Sequence, residues 1–101
     1  MSDEKDYFLM KSDKNKPRMD LLPFEALERV AAIMTYGAEK YTENGWRTVP
    51  DAQKRYVAAL MRHLSAFMRG EVVDPESGLT HIDHMTCNAV FLCALQKGGE
   101  K

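Results

Sequence analysis

Between Arg62 and His84 the chain carries three histidines, His63, His81 and His84, and four carboxylates, Glu71, Asp74, Glu76 and Asp83, set between two apolar runs. Ionisable side chains that interrupt a core stripe must be hydrogen-bonded, paired or bound to metal, because burying one alone costs several kcal/mol. Acids held together at one point are stabilised most simply by a cation. Oxygen ligands favour magnesium or manganese, and the imidazoles move the preference towards manganese or another transition ion. The candidate ligands are therefore Glu71, Asp74, Glu76, His81 and His84, with His63 as a further ligand or as a partner to one.

Three helices are expected to position these groups. In the last, His81, His84, Asn88, Phe91 and Leu95 follow one stripe by steps of three and four. The stripe is polar in its first half and apolar in its second, as in a bundle with one dry end and one polar end. The helix before it places Tyr56, Leu60, His63 and Phe67 on one line, starts at an Asp51 N-cap and reaches Arg69, where Gly70 stops it. In the connecting turn, Asp74-Pro75 reads as an N-cap followed by a first helical residue.

The first helix begins near Pro23 and runs to about Tyr36, with Gly37 as its stop. Glu25 and Glu28 lie three apart on it, either as a metal-binding pair or as a solvated face. One short helical turn and a loop closed by Asn44-Gly45 come next. Lys40, Tyr41 and Trp46 put aromatics beside a base, which suits stacking on a nucleobase and pairing with phosphate, although core packing is the preferred reading of Trp46. A metal site facing such a loop points to phosphate chemistry.

A chain of 101 residues with a net charge of -1 makes one domain and has no bulk field to attract DNA or an anionic membrane. No apolar run approaches the ~20 residues that span a bilayer. The N-terminus carries acids where a signal peptide carries bases, so a soluble cytoplasmic protein is expected. Cys87 and Cys93 lie in an apolar segment outside any Cys-x-x-Cys pattern and read as reduced core thiols. Residues 1–15 are expected to be an extended segment, with a short strand or docking island at Tyr7 to Met10, and residues 16–101 the functional domain.

The segments KPRMDLLPFEAL, YGAEKY, NGW, RH and RGEVVDPESGLTHIDH, in that order, resemble a phage-associated family of dATP/dGTP diphosphohydrolases related to the MazG-like all-α nucleoside triphosphate pyrophosphatases. The likeness spans about Lys16 to Leu95. It implies an all-α bundle that assembles as a dimer or tetramer. It also implies hydrolysis of dGTP or dATP to monophosphate and pyrophosphate with Mg2+ or Mn2+, supplying dGMP for 2-aminoadenine nucleotides in a phage. The Glu25/Glu28 and Glu71/Asp74 pairs match the text of the wider MazG pattern, although the pairs are further apart than is usual there.

On this reading Glu71, Asp74 and Glu76 are the catalytic groups, with Glu71 or Glu76 accepting a proton from the attacking water. Lys16, Arg18, Lys40 and Arg62 hold the triphosphate, and Asn44 and Trp46 face base or sugar. Asp20, Tyr41 and Asn88 complete the expected substrate contacts. Two other readings remain open: a helical interaction module without metal dependence, and an HD-type phosphohydrolase. The second meets an Asp83-His84 pair in reversed order.

Overall fold

The computed structural model describes residues 14–96. The expected segment 1–15 therefore lies outside the described residues except for Lys14 and Asn15, which form part of a turn, and the Tyr7 to Met10 island lies outside entirely. Among the described residues, three helices form the bundle: α1 over Phe24–Lys40, α2 over Ala52–Met68 and α3 over His81–Leu95. Short 3-10 turns at Met19–Leu21 and Gly45–Thr48 lead into α1 and α2. The all-α bundle expected from the periodicity is the observed architecture, and among the described residues the only β pairing is an isolated bridge between Val73 and Thr80.

The helix ends depart from the sequence expectation in three places. Helix α1 passes through Gly37 to Lys40, closing with the Tyr41 amide on the Gly37 carbonyl at 2.8 Å. A helical glycine costs about 1 kcal/mol without forbidding the helix, and the Ala38, Glu39 and Lys40 that follow are good helix formers. Asp51 stands at the start of α2, but its side chain makes no cap. Its backbone is left-handed (φ 54°), and its carbonyl accepts from the Arg55 amide at 3.0 Å. Asp74-Pro75 begins a turn and not α3; Thr80 caps that helix, accepting from the Asp83 amide at 3.1 Å.

Val30 and Ile33 of α1 meet Cys87 of α3, and Met34, Leu79 and Phe91 pack around them. Burying an aliphatic side chain of this size contributes about 1.5–3 kcal/mol. Most of the packing joins α2 to α3, with α1 laid against α3. Along α2, however, Val57, Met61, Leu64 and Met68 are exposed. Their spacing of four, three and four puts them on one stripe of that helix. No helix among the described residues is long and apolar enough to cross a membrane.

Candidate metal centre

The loop between α2 and α3 is shaped by its own backbone. Gly70, at φ +97°, takes a left-handed conformation that L side chains rarely adopt, and it turns the chain out of α2. The His81 amide then donates to the Val72 carbonyl at 2.9 Å, and the Asp74 amide to the Leu79 carbonyl at 2.9 Å. Inside this closure the Gly78 amide reaches the Asp74 carbonyl at 2.8 Å. Asp74 is thereby held facing the first turn of α3, with its side chain only 17% exposed.

There Asp74 meets His84 and, from the middle of α2, His63. One ligand atom from each of His63, Asp74 and His84 lies within 4.8 Å of the other two. The imidazoles of His63 and His84 stack with centroids 4.4 Å apart and planes 5° apart. His84 Nε2 lies 2.7 Å from the Ser77 hydroxyl and 3.4 Å from Asp74 Oδ2. Ser77 Oγ also accepts from the Leu79 amide at 3.1 Å, which fixes the hydroxyl in place.

Burial holds the imidazole pKa of His63 below its ordinary value, and the charges of His84 and His81 push it the same way. Burial also lowers His84, against the opposing pull of Asp74. Neutral imidazoles are the form that binds metal. Two of them with one carboxylate make a donor set that suits a transition divalent ion, and the arrangement fits such an ion on donor chemistry.

Beside this centre an open cleft of about 1580 Å³ runs between the C-terminal end of α1, the Gly45–Thr48 turn and the facing sides of α2 and α3. Trp46 stacks on Phe91 on its wall, centroids 4.5 Å apart and planes 14° apart. The Tyr56 hydroxyl donates to the Trp46 carbonyl at 2.8 Å. Trp46 is half-buried: it packs on Phe91 without joining the Val30, Ile33 and Cys87 core, and it lines the cleft. Its indole Nε1 is buried without a hydrogen-bond partner.

At the rim, the Lys40 ammonium pairs with Glu76, and the Tyr36 hydroxyl donates to Glu76 Oε2 at 3.2 Å. Lys40 sits over the Tyr36 and Tyr41 rings, 5.8 and 5.2 Å from their centroids. Hydrogen bonding from Lys40 first, then Tyr36, lowers the carboxyl pKa of Glu76, while the pKa of Lys40 is raised by the same pairing.

Of the residues singled out in the sequence, Asp74, Glu76, His63, His81 and His84 line the cleft. So do Lys40, Tyr41, Asn44, Trp46, Arg62 and Asn88. Asn88 is buried and donates to the His84 carbonyl at 3.0 Å, supporting the helix beneath the site. Glu25 and Glu28 are exposed on α1 and are not part of the cleft wall. Neither are Lys16, Arg18 and Asp20; Arg18 and Asp20 pair with each other at 2.8 Å. Glu71 also stands off the wall, with its carboxylate on His81 Nε2 at 2.8 Å.

Three residues not singled out from the sequence belong to the site. Ser77 contacts the His84 imidazole, Tyr36 holds Glu76, and Arg55 lines the cleft. Ser77 had a usable signal, since a serine three residues after an aspartate in a turn commonly bonds back to it. Tyr36 had none, because its partner is 40 positions away.

A family model described as dATP/dGTP diphosphohydrolase, N-terminal, matches residues 9–101. No curated protein and no solved structure matches the chain.

Proposed function

Because this chain belongs to the dATP/dGTP diphosphohydrolase family, over the N-terminal region which that description names, we propose that it hydrolyses purine deoxynucleoside triphosphates to monophosphate and pyrophosphate. Mn2+, or Mg2+ with weaker preference, would be held by His63, Asp74 and His84. The observation that carries the reading is the convergence of these three ligand atoms beside a cleft with an aromatic wall and basic residues at its rim. Bound there, the ion supplies neutralising charge for phosphoryl oxygens and makes water more acidic.

The chain's own residues divide the remaining work. Lys40, Arg55 and Arg62 are placed to hold the triphosphate by charge-assisted hydrogen bonds. The Trp46 and Phe91 wall takes the purine. Lys40 turns from Glu76 to the incoming phosphate, which releases the Glu76 carboxylate to accept a proton from the attacking water. Water oxygen bonds to phosphorus, the α–β phosphoanhydride breaks, and pyrophosphate departs with the bonding pair.

We further infer that the protein works as a homodimer or a tetramer. The exposed Val57, Met61, Leu64 and Met68 stripe of α2 supports this. A cleft larger than the ~300–1,000 Å³ of ordinary ligand pockets also lacks a closing wall. A supply of dGMP for 2-aminoadenine nucleotides in a phage is the setting that fits such an activity.

The test is to incubate the protein with each deoxynucleoside triphosphate and Mn2+ or Mg2+ and to resolve the products by anion exchange. dGMP or dAMP with pyrophosphate is expected. Diphosphate with orthophosphate would overturn the reading. Deoxynucleoside with intact triphosphate would move it to the HD-type reaction.

A further inference from the structure

Glu71, His81 and His63 are hydrogen-bonded in a series that has a direction. Glu71 Oε1 lies 2.8 Å from His81 Nε2, and His81 Nδ1 lies 2.8 Å from His63 Nδ1. A carboxylate only accepts, so His81 carries a proton on Nε2. A neutral His81 then has Nδ1 as an acceptor, and the nitrogen that donates to it is His63 Nδ1. His63 then keeps its lone pair on Nε2. That is the one atom from which it can join Asp74 and His84.

We propose that Glu71 and His81 are positioning residues for the metal centre: in series they fix the tautomer of His63, so that its Nε2 is presented as an electron-pair donor to a divalent transition cation. The proposal rests on the reading of His63, Asp74 and His84 as a cation site, and it gives Glu71 and His81 a task distinct from ligation. Both His81 nitrogens are used within the chain, and the side chain is 5% exposed, so solvent offers them no substitute partner. An unpaired donor or acceptor at that depth costs about 1–3 kcal/mol, enough to decide between tautomers that are nearly equal in water.

The backbone holds both ends of the series. Gly70 turns the chain so that Glu71 leaves α2, and the Glu71 amide donates to the Ala66 carbonyl at 3.0 Å. His81 is tied to Val72 across the bridge that pairs Val73 with Thr80. His63 lies between His81 and the stacked ring of His84, which limits its rotation. Ligand histidines elsewhere are commonly fixed by one outer hydrogen bond to a carboxylate. Here a second histidine is interposed, and the carboxylate acts at one remove.

The test begins on the metal-free full chain labelled with 15N at histidine, in which long-range 1H–15N correlations read the tautomer of each ring. His81 is expected as the Nε2–H form and His63 as the Nδ1–H form. Glu71→Ala should leave His63 as a mixture and raise the Mn2+ dissociation constant about 10–100-fold, the range for losing an outer-shell partner. Glu71→Gln, whose amide oxygen still accepts from Nε2–H, should keep the wild-type His63 tautomer and most of the affinity.

A wild-type His63 that carries its proton on Nε2, including by way of a doubly protonated His81, would overturn the proposal. So would a Glu71→Ala variant with wild-type tautomers and affinity. Mn2+ bound by the wild type with His63 protonated on Nε2 defeats this inference alone. No Mn2+ binding by the wild type defeats the cation centre, and the inference with it.

Discussion

His63 of α2 and His84 of α3 lie face to face, ring centroids 4.4 Å apart and planes nearly parallel at 5°. Two imidazolium ions in that arrangement would repel, and burial disfavours the charge on each. Both pKa values are therefore held below the ordinary 6.5 that the unfolded chain shows. Between the folded and unfolded values the unfolded chain binds more protons, so stability is full above 6.5 and declines as pH falls below it. Denaturant midpoints taken from pH 8 down to pH about 5.5 should fall progressively below the histidine range. A flat or rising profile there would contradict the burial of these rings.

Asp74 is the single carboxylate of the three-residue cluster, and its side chain is 17% exposed. Asp74→Asn keeps the volume and removes the charge. Mn2+ affinity should fall about 10–100-fold or more, and turnover of dGTP with it, since losing even an outer-shell partner of a metal costs that much. Near-normal turnover would remove the centre from the reaction.

Lys40 joins Glu76 at the cleft rim while it also stands over two tyrosine rings. If it transfers to phosphate on binding, Lys40→Met should raise the KM for triphosphate about tenfold, the loss expected for one charge-assisted contact. Tyr36→Phe, which removes only the hydroxyl on Glu76, should do less. An unchanged KM in Lys40→Met would place the triphosphate elsewhere.

Cys87 is 1% exposed and Cys93 is exposed, although both come from one apolar segment. Burial pushes the Cys87 thiol up to about 11, which leaves little of the reactive thiolate at neutral pH. A thiol reagent applied to the native protein should label Cys93 at once and Cys87 only after unfolding. Equal labelling rates would mean that the α1–α3 core opens readily.

Phe91 ties the Gly45–Thr48 turn to α3 through its stack on Trp46, and α2 to α3 through its tilted contact with Tyr56, centroids 5.0 Å apart. Phe91→Ala should cost about 3 kcal/mol of stability, the lower end for losing a packed phenylalanine. Trp46 fluorescence should shift to the red as water reaches the ring. An unshifted spectrum would show that the indole is held by other contacts.

What was legible in the sequence follows the distance between partners. The stripe from His81 through His84, Asn88 and Phe91 was readable because helical neighbours recur at fixed spacing, and His81, His84 and Asn88 are buried as a stripe facing inward should be. The all-α architecture came from the same periodicity. Gly37 and Asp74-Pro75 misled, since local propensities are weak and neighbouring residues and loop closure outweighed them. The Lys40, Tyr36 and Glu76 cluster joins α1 to the distant loop, and residues 36 and 40 positions apart leave no trace in local pattern. Glu25 and Glu28 matched a familiar text, yet the fold leaves them on the outer side of α1.

The segment from Val72 to His81 is latched by main-chain bonds at both its mouth and its interior. These bonds use no side chain of the His63, Asp74 and His84 cluster, so closure of the loop does not depend on a cation there. A chelator should strip the site and leave the helical circular dichroism signal intact, unlike small domains whose folding waits for their metal. On the proposed cation reading, the scaffold would stay assembled with and without the ion.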